Sequence, residues 1–446
     1  MVLVDSQSFS RKQETPQPNF DSGTESEYTE RADQWTDPKV IKGVFKQLKE
    51  DQAELVWEAY TNPESRKALG AVIAADENYQ KIFDTEEKIA YALQEMVGFA
   101  FLERVEKEHP GVTDLCYDGS WLYGDTNEGP FLPDQASVDE IIKVIHSFAD
   151  AVDKEFSEKN PNLSAQIGFM RMDAAHKSLS PDRKTTTFDI RFSRPGLVLT
   201  RENFNVIADE WVLDLLFALV RSHCNILISG ETGAGKTELQ KLLISIIQEK
   251  LCMVADSDEM HLKENFPEKK GIETYVACPT MSSTDLIYMC LRHNPKWLML
   301  AEARDGAEAW ALRKAALTNH NVISTLHAYS ARGILDRLVD MCLEVSQANE
   351  TMLRRQLQSY FQIGIQMAIT KLNGRRIRYI NEIVEYQPNQ LPTTLYARWE
   401  EWGQWKTVIG PISNRLKRKM MANHVKFQMP NSTISLNEAI ESDYAV

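Results

Sequence analysis

The chain has 446 residues, 43% of them hydrophobic, which is long enough for two domains with buried cores. Its 50 Lys and Arg against 64 Asp and Glu give a formal net charge of −14. A field of this sign does not attract nucleic acid or an anionic membrane, so we expect no direct sequence-specific binding of nucleic acid. No apolar run approaches about 18 residues and the start has no basic segment before an apolar run, so we expect neither a membrane-spanning helix nor a secretory signal. The six cysteines include no C-x-x-C pair, which indicates reduced core thiols of a cytosolic protein.

The amino-terminal half begins with a polar arm and continues with mixed helix and strand patterns. Residues 1–35 are rich in Ser, Thr, Gln, Glu and Pro, which predicts a disordered or loosely docked segment. Residues 36–195 combine amphipathic helices with short strands, and Ser137 with Glu140 forms a capping-box pattern at the start of one helix. We therefore predict an α+β domain here, followed by a linker at residues 196–204.

After the linker, apolar runs alternate with amphipathic helices, which is typical of an α/β domain with a mostly parallel sheet. This domain is predicted over residues 205–390. Its candidate strands are residues 224–229, 252–256, 296–300 and 321–328, and a helix is predicted over 236–250. A hairpin follows, turned by Asn373-Gly374 as a type I′ sequence. Residues 391–446 are predicted to form an aromatic pair of strands and a basic helical tail.

One segment carries a phosphate-binding pattern. "GETGAGKT", Gly230 to Thr237, fits G-x-x-x-x-G-K-[ST] and stands between an apolar strand and an amphipathic helix. Its glycines allow the backbone N–H groups to turn inward around an anion, and the helix N-terminus adds a positive dipole end. We predict that ATP is bound by Gly230, Glu231, Thr232, Gly233, Ala234, Gly235, Lys236, Thr237 and Glu238. Lys236 would reach the β- and γ-phosphates, and the Thr237 hydroxyl would ligate Mg²⁺. No N-K-x-D follows, which argues against a GTPase; a small-molecule kinase and a helicase stay open at this point.

The motifs around this loop resemble, in fixed order, those of the type II/type IV secretion traffic ATPase superfamily, the ring motors of conjugation and of pilus assembly and retraction. They are "FDIRFS" (188–193), the phosphate loop itself, "VADSDEMHL" (254–262), "LRHNPKWLMLAEARDGAEA" (291–309) and "TNHNVISTLHAYSARGILDRL" (318–338). The resemblance runs from about residue 160 to 390. It implies a RecA-like P-loop NTPase domain behind the α+β domain, with ATP at their junction.

The resemblance also implies roles for individual residues. Glu302 takes the position of the Walker B glutamate, as a catalytic and metal-associated acid, and Asp256 and Glu259 add metal or water ligands. Asp256 could instead be a loop acid that caps a turn. His327 would sense the γ-phosphate, with support for the strand from His320. The candidate arginines are Arg191, Arg304, Arg332 and Arg337, the last two either from a neighbouring subunit or within their own. An arginine at the γ-phosphate accelerates transfer by roughly 10³–10⁵.

Three positions depart from the family pattern: Ala255 and Lys296 replace acids, and Ala301 replaces a glycine. The first hypothesis is a Mg²⁺-dependent ATPase that assembles into a ring, six subunits being the family's expectation, on the cytoplasmic face of a membrane machine whose components are its partners. A soluble RecA-like nucleic-acid motor is the second. A scaffold that binds ATP but has lost hydrolysis, suggested by Ala255, is the third.

Overall fold

The computed structural model describes residues 37–99, 101–372 and 375–431, and the chain divides into two compact units, residues 1–99 and 100–446. The arm predicted over residues 1–35 and the Asn373-Gly374 turn lie outside the described residues. Both sheets of the protein belong to the second unit, so the compact units divide the chain at a different place from the domains predicted from sequence. Those domain boundaries stay predictions. No helix within the described ranges is long and apolar enough to cross a membrane.

The described part of the first unit is helical. Its helices are α1 (Pro38–Asp51), α2 (Ala53–Ala59), α3 (Pro63–Ala75), α4 (Glu77–Gln80) and α5 (Glu86–Val97). Side chains of Asn62 and Thr85 accept hydrogen bonds from the first-turn N–H groups of α3 and α5, which fixes where these helices begin. Arg66 donates to the carbonyls of Ala59, Tyr60 and Val97, and so satisfies carbonyls at the ends of two other helices.

The second unit begins with an antiparallel sheet of six strands. Its elements are α6 (Phe101–Glu108), β1 (Val112–Tyr117), β2 (Leu122–Thr126), β3 (Pro130–Phe131), α7 (Val138–Ala151), β4 (Asn162–Ile167), β5 (Met170–Ala175) and β6 (Thr187–Phe192), with strand order β3-β2-β1-β6-β5-β4. The predicted capping box of Ser137 and Glu140 is confirmed at the start of α7. Strands β4 and β5 form a hairpin that turns at Gly168 with a φ of 54°.

A second sheet of nine strands follows, with order β15-β14-β13-β12-β7-β11-β10-β8-β9. Its elements are α8 (Glu210–Arg221), β7 (Ile226–Gly230), α9 (Lys236–Ile244), β8 (Leu251–Ala255), α10 (Leu262–Asn265), β9 (Ile272–Val276), α11 (Ser283–Cys290), β10 (Trp297–Ala303), α12 (Gly306–Leu317), β11 (Asn321–Leu326), α13 (Ile334–Glu344), α14 (Glu350–Tyr360), β12 (Ile363–Leu372), β13 (Arg375–Glu385), β14 (Thr393–Glu401), β15 (Gln404–Ile409) and α15 (Asn414–Ala422). Strands β7 to β12 are parallel, and β13 to β15 are antiparallel. The predicted α/β class with a mostly parallel sheet is confirmed.

The parallel strands β7, β8 and β11 are buried on both faces. Ile226 and Ile228 of β7 pack into one hydrophobic core, while Leu227 between them packs into the other. Two-sided burial explains why these strands appear in the sequence as unbroken apolar runs. Because both faces are buried, polar side chains can collect only at the ends of these strands.

The helix predicted over residues 236–250 ends earlier, at Ile244. Lys269 donates its Nζ to the carbonyl oxygens of Ile244, at 2.8 Å, and Ile247, at 2.5 Å. A lysine that satisfies carbonyls at a helix end stabilises the termination there. The chain then turns and enters β8 at Leu251. Apolar periodicity alone did not indicate that the helix ends before this turn.

Candidate active site

The loop that joins β7 to α9 is built around three glycines with positive φ. Gly230, Gly233 and Gly235 have φ values of 151°, 78° and 93°. A Cβ at Gly230 would collide with the carbonyl oxygen of Met367 on the neighbouring strand β12, so only glycine fits there. The loop thus leads directly from a buried parallel strand into a helix N-terminus, the arrangement that binds anions through backbone N–H groups.

Lys236 opens α9 and is almost buried, with 9% of its surface exposed. Its Nζ donates to the carbonyls of Gly230 at 2.7 Å and Glu231 at 3.2 Å, which holds the ammonium against the loop. Desolvation lowers the pKa of Lys236, the charge of Glu302 works in the opposite direction, and Arg191 lowers it further. The lysine, the glutamate and the arginine therefore share one electrostatic environment, although they lie far apart in the sequence.

Glu302 stands in an irregularity near the end of β10. The pairing of β10 with β11 passes from Leu300–Ser324 to Ala303–Leu326, so three steps on one strand match two on the other. A bulge of this kind redirects the side chains within it and is frequent beside active sites. The Thr325 hydroxyl donates to the Ala301 carbonyl at 2.7 Å and so satisfies a backbone group that the ladder leaves free. Ala301, one of the departures from the family pattern, is therefore accommodated inside the bulge.

Two basic side chains flank the Glu302 carboxylate. Arg304 donates through Nε to Oε2 at 3.1 Å, and His327 Nε2 lies 2.8 Å from Oε1. Oε1 is shielded from solvent and accepts no hydrogen bond of good geometry from the described part of the chain. A buried carboxylate oxygen with unused capacity is suited to accept from a water molecule that enters with a ligand.

Arg304 connects Glu302 to Asp256, the residue that directly follows β8. Its guanidinium forms an ion pair with the Asp256 carboxylate, which also accepts from the Ser283 hydroxyl at 2.7 Å. Desolvation acts to lower the pKa of Arg304, but Asp256 and Glu302 raise it above its usual value. Asp256 thus belongs to a network with Glu302, although its proposed contact with a metal ion stays a prediction.

The six-stranded sheet contributes Arg191, on β6. Its Nε lies 3.2 Å from Asp114 Oδ1 on β1, which orients the side chain. Desolvation acts to lower the pKa of Arg191, whereas the charges of Asp114, Glu259 and Glu302 raise it. Glu259 in turn pairs with Arg171 of β5 at 3.4 Å and accepts from the Ser257 hydroxyl. The predicted residues Arg191 and Glu259 are therefore close to the Glu302 environment, where the two sheets of this unit meet.

Sequence reasoning missed Arg378, on β13. Its Nε donates to the carbonyl of Gly233, at the tip of the glycine loop, at 2.7 Å. Two residues earlier on the same face of the strand, Arg376 pairs with Asp125 of the six-stranded sheet at 3.0 Å. The alternating basic residues in "RRIRYI" were a visible signal, but only the pairing of β13 with β12, and of β12 with β7, brings them to the loop.

Other predicted residues have different partners. Glu238 accepts from Val198 N and Lys241 Nζ, so its carboxylate orients the linker and the helix rather than facing the loop. Arg332 donates to Glu382, Pro392 and Thr394 of its own chain, which agrees with the intrasubunit alternative. The Arg337 guanidinium lies 3.9 Å from the Glu344 carboxylate. His320 lies against Thr318, and desolvation lowers its pKa.

Four other residues predicted to bind ATP lie in the glycine loop or in the first turn of α9: Glu231, Thr232, Ala234 and Thr237. Ala234 is buried, and Glu231 and Thr232 are exposed at the tip. Thr237 is half-buried in the first turn of α9 beside Lys236. The donor set fits a triphosphate with its divalent ion: a loop with three glycines at positive φ, a buried ammonium, a hydroxyl and a carboxylate oxygen with free capacity. Lys236, Arg191 and the loop N–H groups would hold phosphate, while Thr237, Glu302 and Asp256 would hold Mg²⁺.

Comparison with known proteins places these elements in a family. Residues 201–363 match the family model described as "Type II/IV secretion system protein". The uncharacterized protein pXO2-25 of Bacillus anthracis is 31% identical over 415 residues, which cover 89% of this chain and 93% of that protein. The conjugal transfer protein TrbB of Rhizobium radiobacter is 28% identical over 270 residues, covering 58% of this chain and 79% of TrbB. The X-ray structure of the Legionella pneumophila ATPase DotB aligns with a TM-score of 0.49 and 19% identity, over 65% of this chain and 81% of DotB.

The family match spans the glycine loop, Glu302 and His327, so it covers the residues that the fold brings together at the end of the parallel strands. The chain belongs to the type II/type IV secretion traffic ATPase superfamily.

Proposed function

We propose that this chain hydrolyses ATP with Mg²⁺ as one subunit of a ring motor. The motor would power a type IV secretion or conjugation machine, or a related type II secretion or pilus machine, at the cytoplasmic face of a membrane. The observation that carries the proposal is the placement of Glu302. Its carboxylate lies near the end of β10 within 3.1 Å of Arg304 and 2.8 Å of His327, and its charge acts on Lys236 of the glycine loop and on Arg191 of the other sheet.

The chemistry follows from these positions. Lys236 and the N–H groups of the loop would neutralise the phosphates, and Arg191 would face the charge that develops on the γ-phosphoryl group. Glu302 would accept a hydrogen bond from the attacking water through Oε1 and so orient it for in-line displacement. Bound Mg²⁺ would supply charge neutralisation at the phosphate oxygens. Because His327 lies 2.8 Å from the same carboxylate, its position would respond to any change at Glu302.

The sheet connections suggest how hydrolysis could produce movement. Arg191 reaches the environment of Lys236 from the six-stranded sheet, and Asp125 of that sheet pairs with Arg376 on the strand that supports the glycine loop. A γ-phosphate that attracts Arg191 would favour one arrangement of the two sheets, and its release would remove that preference. Rigid-body movement of one domain against another is a common result of such a switch.

The partners and location are proposed from the relatives. TrbB is named as a conjugal transfer protein and PtlH of Bordetella pertussis as a type IV secretion system protein. We therefore propose self-association into a ring, with six subunits, docked on membrane components of such a machine. Ring closure requires heterologous contacts between copies, because an isologous pair ends at a dimer.

The test combines assembly with turnover on the purified chain. Analytical ultracentrifugation with Mg²⁺ and a non-hydrolysable ATP analogue should show a ring-sized species, and phosphate release should accompany assembly when ATP is supplied. A monomer at every protein concentration would contradict the ring. Turnover that rises severalfold with DNA, with salt-sensitive DNA binding, would instead support the nucleic-acid motor. Assembly on ATP without any phosphate release would support the hydrolysis-deficient scaffold.

A further inference from the structure

A second polar cluster lies at the opposite, amino-terminal end of the same parallel strands. It contains Cys252 of β8, Glu273 of β9, Cys290 at the end of α11, and His293 in the short 3₁₀ turn Leu291–His293 before β10. Both thiols are wholly buried, whereas His293 and Glu273 keep about a third of their side chains exposed, 34% and 30%. The phosphate chemistry does not use this cluster, although His293 lies within the family motif of residues 291–309.

The side chains of Cys252 and His293 converge on the carboxylate of Glu273. The Cys252 Sγ lies 3.3 Å and the His293 Nδ1 lies 2.8 Å from Glu273 Oε2. One ligand atom each from Cys252, Glu273 and His293 lie within 4.8 Å of one another. The Cys290 thiol interacts electrostatically with that of Cys252 but lies outside this group of three, and both thiols are free rather than disulfide-bonded. Cys290 and His293 are three residues apart on a continuous helical turn, so they point to the same side.

These donors are the set that zinc takes in closed protein sites. Thiolate, imidazole and carboxylate ligands bind Zn²⁺ at about 2.0–2.3 Å in a tetrahedron, which puts ligand atoms about 3.3–3.8 Å apart. The 3.3 Å separation of Cys252 Sγ from Glu273 Oε2 already falls in that range, and the 2.8 Å separation of His293 Nδ1 from Glu273 Oε2 needs only a small expansion. A bound ion would replace the hydrogen bonds that Cys252 and His293 make to Glu273 by bonds from each of these residues to the metal.

The charges around the cluster also fit a divalent ion. Two thiolates, one carboxylate and a neutral imidazole carry three negative charges, so bound Zn²⁺ would leave one negative charge in excess. Lys250 Nζ lies 2.6 Å from the other oxygen of Glu273, and its positive charge would balance that excess. The Tyr275 hydroxyl donates to Glu273 Oε2 at 3.2 Å, a contact of the kind that orients metal ligands from outside the coordination sphere.

We propose that Cys252, Glu273, Cys290 and His293 form a structural binding site for a thiophilic divalent cation of the zinc class. Four protein ligands leave no open position, so the ion would have a structural role and no catalytic one. It would join β8, β9 and the segment that leads into β10, and so hold the amino-terminal ends of the strands whose other ends carry Asp256 and Glu302. Binding would release the two thiol protons.

The test uses Co²⁺ as a spectroscopic probe on the full chain, purified in reductant and stripped of metal. We expect one Co²⁺ per chain, with a thiolate-to-metal charge-transfer band, intense visible bands of tetrahedral geometry, and displacement by Zn²⁺. Cys290→Ser should weaken the charge-transfer band and lower the affinity for Zn²⁺ at least tenfold. His293→Ala, at a partly exposed position, provides a second variant that does not depend on replacing a buried thiol.

The matched control is Cys342→Ser, which makes the same change at a buried thiol on α13, outside the cluster. It should keep the spectrum and the stoichiometry of the wild-type chain. ATP turnover serves as a separate reading, because loss of the metal should leave Lys236 and Glu302 chemically intact. Less than about a tenth of an equivalent of Co²⁺ in the wild-type chain, or an unchanged spectrum in both Cys290→Ser and His293→Ala, would overturn the proposal and leave a hydrogen-bonded cluster without metal.

Discussion

The two ends of the parallel strands carry polar groups of different kinds. At the carboxyl-terminal end, Lys236, Glu302 and Arg304 lie around an open loop, and His327 keeps 56% of its side chain exposed. At the amino-terminal end, Cys252 and Cys290 are wholly buried. A polyatomic ligand can therefore reach the first group of residues, whereas the two thiols of the second group are closed to it.

Strand polarity explains this division. In a parallel sheet, the helix that follows each strand begins at the carboxyl-terminal edge, so helix N-termini and free N–H groups collect there and attract anions. The opposite edge receives the ends of the preceding helices, such as Cys290 at the end of α11. Changes at the first edge should affect turnover, and changes at the second should affect stability or metal content alone.

The largest expected effect is that of Lys236→Ala. Removal of the ammonium from the phosphate cradle should reduce ATP hydrolysis by at least about a thousandfold, to the limit of a phosphate-release assay. The matched control is Lys263→Ala, which removes an exposed lysine from α10 and should keep wild-type turnover. Turnover within a few-fold of wild type in Lys236→Ala would remove the loop from the active site.

A smaller effect is expected of Arg378→Ala. A charge-assisted hydrogen bond contributes about 1.5–3 kcal/mol when buried. Since the bond to the Gly233 carbonyl is exposed to solvent, we expect about a fivefold rise in the Kd for ATP, measured by equilibrium titration with a fluorescent analogue. Arg375→Ala, on the same strand but exposed, is the control. Equal Kd values for the two variants would contradict the role of Arg378 in orienting the loop.

The smallest expected effect is on stability, and it concerns Glu385. This residue ends β13 and pairs with Ile363 at the amino-terminal end of β12. Burial raises the pKa of this carboxyl group, although Ser413 and Arg415 oppose the shift. A carboxyl group with a raised folded pKa stabilises the fold below its unfolded pKa of 4.5, and this contribution is lost as pH rises through the folded value.

Glu385→Gln does not titrate, so the Tm of the wild-type chain relative to this variant should fall as the pH is raised from 4.5 toward neutral. Thermal unfolding at several pH values measures the difference. A constant difference in Tm across that range would show that the group does not titrate with folding. Turnover at neutral pH should be the same in both chains.

The sequence predicted most of what depends on local pattern. Runs of apolar residues indicated the strands of the parallel sheet, and Gly230, Gly233 and Gly235 marked a loop whose backbone does adopt positive φ at all three. The glycine pattern is informative because few other local structures require it.

What the sequence did not indicate depends on pairing between distant segments. The bulge at Glu302 arises from the register of β10 on β11, and the contact of Arg378 with the loop depends on two further strand pairings. The early end of α9 depends on Lys269, a residue beyond the next strand. The convergence of Cys252 with Glu273 and His293 is of the same kind, because these residues come from three separate segments of the chain. Long-range packing overrides periodicity in each case.

The most direct measurement of the central claim compares ATP binding and phosphate release in the wild-type chain and Glu302→Gln. The amide keeps the size of the side chain but removes its negative charge, so it is a weaker acceptor for the attacking water and a weaker ligand for Mg²⁺. The account predicts a Kd for ATP close to that of wild type and a kcat lower by about 10²–10⁴-fold. A Glu302→Gln chain that turns over ATP at the wild-type rate would contradict the assignment of Glu302 as the hydrolytic carboxylate.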